Sequence, residues 1–195
     1  VTHRKLKRPE HKLAMREMIR AIDESSRSAG QMLDHAMVTF RAETLARDEL
    51  DLGTLMAETC DRLAPTADLK DITIQRALPK TPTLFMGDAI LLQAALQNIL
   101  DNAIKYSADD SQIAASVTTG DLLRLSFSDS GRGLDGVDIA QLTTRFSRGS
   151  NVGDVVGSGL GLTIADEVAR AHGGKLDIAA NTNGVGACVS LILPR

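Results

Sequence analysis

Three short clusters hold residue types that chemistry needs. The first is Asn98-Ile-Leu-Asp-Asn102-Ala-Ile-Lys105-Tyr106. On a helix, Asn98 and Asn102 share one face, and Lys105 joins that side. Two amides and an ammonium on an otherwise apolar helix are costly to bury without partners. Amide oxygens suit a hard cation such as Mg2+, which proteins commonly hold beside phosphate with few ligands of their own. The second cluster is Asp129-Ser-Gly131-Arg-Gly133, directly after a strand-like run. A carboxylate at a strand end can accept a hydrogen bond from an exocyclic amine such as that of adenine. The glycines leave room for the close approach of a flat ligand. The third is Gly157-Ser158-Gly159-Leu160-Gly161-Leu162, leading into a helix. Glycines before a helix start let backbone N–H groups and the helix dipole face an anion.

Taken alone, each cluster also describes something ordinary: a polar helix end, an Asp/Gly turn, a tight loop. The glycine run fits a Rossmann loop poorly, because a Gly- and Ser-rich stretch and not a strand precedes it. The Gly-Lys-Ser/Thr of a Walker loop is missing. The order of the three is more specific than any one of them: it describes a single path from adenine to phosphate.

The elements that must position these clusters are legible in outline. Residues 13–47 have apolar positions at helical spacing, with Met15, Met18, Ile22, Ala29, Met32 and Phe40 among them, and Gly30 the single breaker. This predicts a long amphipathic helix. Such a stripe needs a partner, most simply in a helical hairpin or a dimeric bundle. A second helix is expected over 52–64, stopped by Pro65. Residues 72–77 and 83–86 read as strands. Asp88 is a plausible N-cap for a helix over 88–106. A hairpin over 111–119 and 122–129 turns at Gly120-Asp121. A short helix is expected near 137–143 and another over 159–171, stopped by Gly173-Gly174. A second hairpin over 175–180 and 186–193 closes the chain. The reading is α+β: a long-helix part at 1–50, then a two-layer α/β sandwich at 51–195.

Composition excludes several classes. The chain has 195 residues, 43% hydrophobic and 24% charged, which is ordinary for a soluble protein able to bury a core. A formal charge of −3 argues against a dedicated nucleic-acid binder. Two cysteines, Cys60 and Cys188, exclude a disulfide scaffold and suit a reduced cytoplasmic setting. No apolar run approaches a membrane span. The cationic residues 1–12 read as a solvated connector, with contact to a membrane surface or phosphate as the alternative. Val1 in place of a starting Met points to a piece of something longer.

NILDNAIKYS, DSGRGL, RFSRG and GSGLGL, followed by AHGGKLDI, strongly resemble the successive motifs of the ATP-binding domain of sensor histidine kinases, in the group that includes gyrase B and mismatch-repair ATPases. The resemblance covers about 51–195. Residues 1–50 resemble the second helix of the dimerisation and phosphotransfer hairpin. It implies that Asp129 bonds the adenine amine and that Asn102 is the principal Mg2+ ligand, with Asn98 beside it. It implies Lys105 on a phosphate, Tyr106 beside the adenine, and Gly131 and Gly133 making room for the base. Gly157, Ser158, Gly159, Leu160 and Gly161 frame the triphosphate. Phe146 and Arg148 stand at the edge of a lid over 143–158, with Arg148 able to reach the γ-phosphate. Asn98, Lys105 and Arg148 are then the catalytic set, acting with ATP and Mg2+ by positioning and charge neutralisation.

The family phosphorylates a histidine that is usually followed by an acid, with Pro five positions on. His3, His11, His35 and His172 do not match. The acceptor is therefore expected upstream of residue 1, with His3 or His11 as unusual alternatives. The implied partners are a second copy of the protein and a response-regulator receiver domain, with membrane attachment only through an upstream segment. Three rivals remain. An ATP-hydrolysing switch usually has Glu where Asn98 stands, as base for water. An anti-sigma-type serine kinase usually lacks the long helix. A phosphotransfer or adaptor protein with a decayed site would be expected to lose Asp129 or the glycines.

Overall fold

The computed structural model describes residues 46–136, 138–144, 159–181 and 185–195, together with Met15, Met18, Gly30, Val38 and Arg41. Those five are all helical. Met15 and Met18 are exposed, whereas Val38 is fully buried in the main core. The expected extension of this helix to residue 47 does not hold: Ala46 and Arg47 lie outside it, and a strand begins at Asp48.

That strand, β1 (Asp48–Asp51), has no counterpart among the sequence-based expectations. It hands over to α1 (Leu52–Asp68) at Asp51, whose carboxylate accepts the N–H groups of Gly53 and Thr54 and caps the helix. Leu52, Leu55, Met56, Thr59 and Cys60 form the buried side of α1. Pro65 does not end this helix, as expected, but lies inside it. A proline removes the hydrogen bond to the carbonyl four residues back. Here that residue is Asp61, on the exposed side, where water can serve its carbonyl. The helix runs on to bury Ala67.

Strands β2 (Thr73–Ala77) and β3 (Leu84–Gly87) follow. Strand β3 pairs antiparallel with β1 as a separate two-stranded sheet. Helix α2 (Ala89–Tyr106) starts at Asp88, whose Oδ1 accepts the N–H groups of Ile90 and Leu91 at 3.0 and 3.1 Å. Then come β4 (Gln112–Thr119), β5 (Leu122–Ser128), the one-turn α3 (Ile139–Leu142), α4 (Gly161–Ala171), β6 (Lys175–Ala180) and β7 (Ala187–Pro194). The main sheet has the order β2-β4-β5-β7-β6, with β2 parallel to β4 and the other neighbours antiparallel.

Period-two burial fixes which face of this sheet the helices cover. Ile113, Ala115 and Val117 of β4, Leu123, Leu125 and Phe127 of β5, and Leu191 and Leu193 of β7 are buried. They join Leu92, Leu96, Ile99 and Leu100 of α2 and Ile164, Ala165 and Val168 of α4 in one core. Helix α2 packs against both α1 and α4. The result is the expected two-layer α+β arrangement. The opposite face is polar: Ser126 and Ser190 hydrogen-bond across β5 and β7 at 2.8 Å, and Arg124 pairs with Asp177 at 2.9 Å.

Candidate nucleotide site

Asp129 stands immediately beyond β5, on the C-terminal edge of a central strand. It is only 8% exposed. Its Oδ1 accepts the backbone N–H groups of Gly131 at 2.8 Å and Ala187 at 3.2 Å. Its own N–H donates to Ala187 O at 2.9 Å. Burial pushes this carboxyl above its ordinary value, and the backbone N–H groups of Gly131, Ala187 and Asp129 itself pull it partly back. A buried carboxylate gripped on one oxygen by main chain is a rigid acceptor, suited to a single donor on a flat ligand.

The glycines around it are required by close approach. A methyl added at Gly131 would sit 2.5 Å from Tyr106 O, so the turn after Asp129 lies directly on the end of α2. Gly133 has φ +70° and faces the backbone of Gly186. Gly186 itself has φ +79°, and a methyl there would overlap Asp129 O. The β6–β7 connection thus presses onto the Asp129 turn from one side and α2 from the other. Lys105 lies in the last turn of α2, with its ammonium 5.6 Å from the centre of the Tyr106 ring. Lys70 donates to the carbonyls of Ile104 and Ser107 and so caps this helix end from below.

The other two clusters meet across the α2–α4 packing. Asn98 donates through Nδ2 to Ala94 O at 2.9 Å, one turn back on α2. A methyl added at Gly161, the first residue of α4, would sit 3.0 Å from Asn98 Oδ1 and 3.3 Å from Asn102 Nδ2. The amide face of α2 is therefore covered by the start of the glycine-preceded helix. Gly159 has φ +71°, and Leu160 is buried with its carbonyl accepting from Ile164 N. Thr163 ties this helix to the end of α3 through Thr143 O at 3.1 Å.

The structure thus gathers Tyr106, Asp129, Gly131 and Gly133 at the end of α2, and Asn98 and Asn102, further back on α2, beside Gly161 of α4. Phe146, Arg148, Gly157 and Ser158 fall outside the described residues. Gly186 and Ala187 also border Asp129, which the sequence alone does not reveal. Their signal was the Gly184-x-Gly186 spacing, which reads only as a hairpin turn until β7 is seen beside β5. Among the described residues, no three His, Cys, Asp or Glu side chains could hold a metal ion together. The available donors at Asn98 and Asn102 are amides, which suit a hard cation that takes most of its ligands from phosphate and water. A hollow of about 320 Å³ elsewhere, lined by Arg47, Phe85, His172 and Arg195 among others, contains none of these residues.

Residues 87–195, more than half of the chain, match the family described as histidine kinase-, DNA gyrase B- and HSP90-like ATPase. The chain is 32% identical over 189 residues to the histidine-protein kinase/phosphatase MprB of Mycolicibacterium vanbaalenii, covering 91% of this chain and 37% of that one. It is 29% identical over 172 residues to the sensor protein KdpD of Escherichia coli, covering 88% of this chain and 19% of that one. It therefore spans between about a fifth and a little over a third of these relatives. Among solved structures, the mycobacterial sensor histidine kinase MprB superposes with a TM-score of 0.64 at 26% identity, over 76% of this chain and 97% of that one. Full-length ShkA in complex with AMPPNP shares the fold, with a TM-score of 0.73 at 24% identity over 92% of this chain and 38% of that one. The chain belongs to the histidine kinase-, DNA gyrase B- and HSP90-like ATPase family, and its matched part is similar to the catalytic domains of sensor histidine kinases.

Proposed function

We propose that this chain is the catalytic portion of a sensor histidine kinase, which binds Mg-ATP and transfers the γ-phosphate to a histidine, from which it passes to a response-regulator aspartate. The observation that carries the reading is the arrangement on α2. Its end adjoins a buried, backbone-gripped Asp129, and its amide face meets the glycine start of α4. One element thus spans an amine acceptor and a phosphate-type site.

In this reading Asp129 accepts the adenine amine, and Tyr106, Gly131 and Gly133 border the base. Mg2+, when bound, would supply charge neutralisation to the phosphates. Asn102 would hold it, with Asn98 beside it as a second ligand or an anchor for its water. Lys105 and Arg148 neutralise phosphate charge, and Gly157, Ser158, Gly159, Leu160 and Gly161 surround the triphosphate with backbone donors. Phe146 marks the lid edge. Asn98 cannot serve as a general base for water, which favours phosphotransfer over hydrolysis. Residues 1–50 are assigned to the dimerisation and phosphotransfer region and 51–195 to the catalytic domain. A homodimer, a receiver-domain partner and a cytoplasmic setting, with any membrane anchor elsewhere in the protein, complete the proposal. No helix among the described residues is long and apolar enough to cross a membrane.

His172 does not qualify as the phosphate acceptor: it is 4% exposed and both ring nitrogens are hydrogen-bonded. His3, His11 and His35 lie outside the described residues. The test is incubation with γ-labelled ATP and Mg2+, following bound nucleotide and label on the chain. Mg-dependent ATP binding is expected, and its absence overturns the reading. Acid-labile, base-stable label would place the acceptor at His3, His11 or His35. Binding without label would place it outside this chain.

A further inference from the structure

Asn181, at the end of β6, uses its whole side chain on the Asp129 turn. Its Nδ2 donates to Asp129 O at 2.6 Å and to Val185 O at 2.8 Å. Its Oδ1 accepts the Ser128 hydroxyl at 2.7 Å. Two carbonyls can only accept, so the amide nitrogen must face them, and the orientation of this side chain is fixed. Its own N–H donates to Gly186 O at 3.3 Å. Asn181 therefore joins three things: the residue before Asp129, the main chain of Asp129, and the turn that delivers the N–H of Ala187 to Asp129 Oδ1.

The contact is needed because of where Asp129 sits. Ser128 is the last residue of β5 paired to β7, opposite Cys188. Beyond it a single main-chain bond follows, from Asp129 N–H to Ala187 O, and Gly186 packs so tightly on Asp129 O that only a glycine fits. A main-chain carbonyl at a strand end with no partner is free to turn about its Cα–C bond, and that turn moves the following segment, whose Gly131 N–H holds the Asp129 carboxylate. The Asn181 amide supplies the missing donor.

We infer that Asn181 is a positioning residue for base recognition: it fixes the peptide plane of Asp129 and thereby the direction of its carboxylate. This rests on the reading of Asp129 as acceptor for the 6-amino group of adenine. It predicts that Asn181 governs discrimination between purines with an amine at that position and purines with an oxygen there, without touching the nucleotide.

The experiment compares the Kd values for Mg-ATP, Mg-ITP and Mg-tripolyphosphate in wild type, Asn181→Ala, Ser128→Ala and Asp129→Asn. Wild type should prefer ATP, and Asp129→Asn should abolish that preference. Asn181→Ala should weaken ATP about five- to tenfold, the scale of losing the part-buried hydrogen bond to Asp129 O. ITP and tripolyphosphate binding should be unchanged. Ser128→Ala, which leaves both Nδ2 bonds in place, should move ATP in the same direction by less. A wild type indifferent between ATP and ITP would defeat the Asp129 assignment itself. Intact discrimination in Asn181→Ala, beside its loss in Asp129→Asn, would overturn the Asn181 inference alone. Equal losses for all three ligands would make Asn181 merely structural and overturn it too. Should Asn181→Ala not fold, Ser128→Ala decides by the same ratio, and an ATP-to-ITP ratio unchanged from wild type overturns the inference.

Discussion

His172 and Asp88 are joined through an unusual pairing: the ring Nε2 of His172 accepts the backbone N–H of Asp88 at 3.0 Å. The other ring nitrogen lies 2.8 Å from Val168 O, which can only accept, so Nδ1 carries the proton. The neutral tautomer is thereby set. Asp88 is in turn the N-cap of α2, and its Oδ2 takes Arg41 of the preceding helical segment at 3.2 Å. The end of α4, the start of α2 and Arg41 therefore share one junction, at the end of α2 opposite the Asp129 turn.

Burial lowers the His172 pKa below the ordinary histidine range, with the Val168 carbonyl and Asp88 opposing and Arg47 reinforcing the shift. The unfolded chain then binds a proton that the native chain refuses. Stability should be full above about pH 6.5 and should fall as pH drops below it. A His172→Gln variant can still accept the Asp88 N–H but cannot titrate. Urea denaturation at pH 7.5 and pH 5 should show a larger loss for wild type than for the variant. Equal losses would mean that His172 does not carry this dependence.

The opposite sign applies at Asp129. Its pKa is raised by burial, so the native state holds its proton more tightly than the unfolded chain does. At neutral pH the ionised carboxylate is a cost to folding that diminishes only as pH falls through the raised pKa. Asp129→Asn removes that charge while its amide oxygen can keep the N–H groups of Gly131 and Ala187. The variant should melt at or above the wild-type temperature and lose most of its ATP affinity, because its NH2 would meet the adenine amine donor to donor. A lower Tm, or unchanged ATP affinity, would contradict this.

What the sequence revealed follows local signals. Helix α2 was legible because Asp88 caps it and Leu91, Leu92, Ala95, Leu96 and Ile99 repeat at helical spacing. Strand β1 was not, because Asp48-Glu-Leu-Asp has three acids in four residues, and it exists only through its pairing with β3. Pro65 reads as a stop because proline breaks helix interiors, whereas this helix runs past it to bury Ala67. At the site, Asp129 and the glycines were visible as motifs. Asn181 and Ala187 were invisible because their importance comes from meeting a residue on another strand.

Gly131 offers a test of close packing. A methyl there would lie 2.5 Å from Tyr106 O and 2.9 Å from Asp129 Oδ1. The first obstacle is main chain at the end of a capped helix and cannot swing aside. Gly131→Ala should therefore destabilise by about 1–3 kcal/mol, as overpacking does. It should also weaken nucleotide binding by displacing Asp129. Thermal melting with and without ATP checks both parts, and an unchanged apo Tm would mean that the turn has room to relax.

Asn102→Ala separates metal from nucleotide. Asn102 meets the first residue of α4, where a methyl would sit 3.3 Å from its Nδ2, so removing the side chain opens space without a clash. It is half-buried on a helix whose apolar side is untouched, and the fold should survive. If its amide oxygen serves Mg2+, the affinity for Mg-ATP should fall about tenfold or more, the scale of losing a group that holds or supports a bound metal. Affinity for ATP in EDTA should fall much less, because Asp129 and its glycines are untouched. Titration calorimetry with each form gives the two numbers. A loss equal in both would move Asn102 from the metal to the nucleotide.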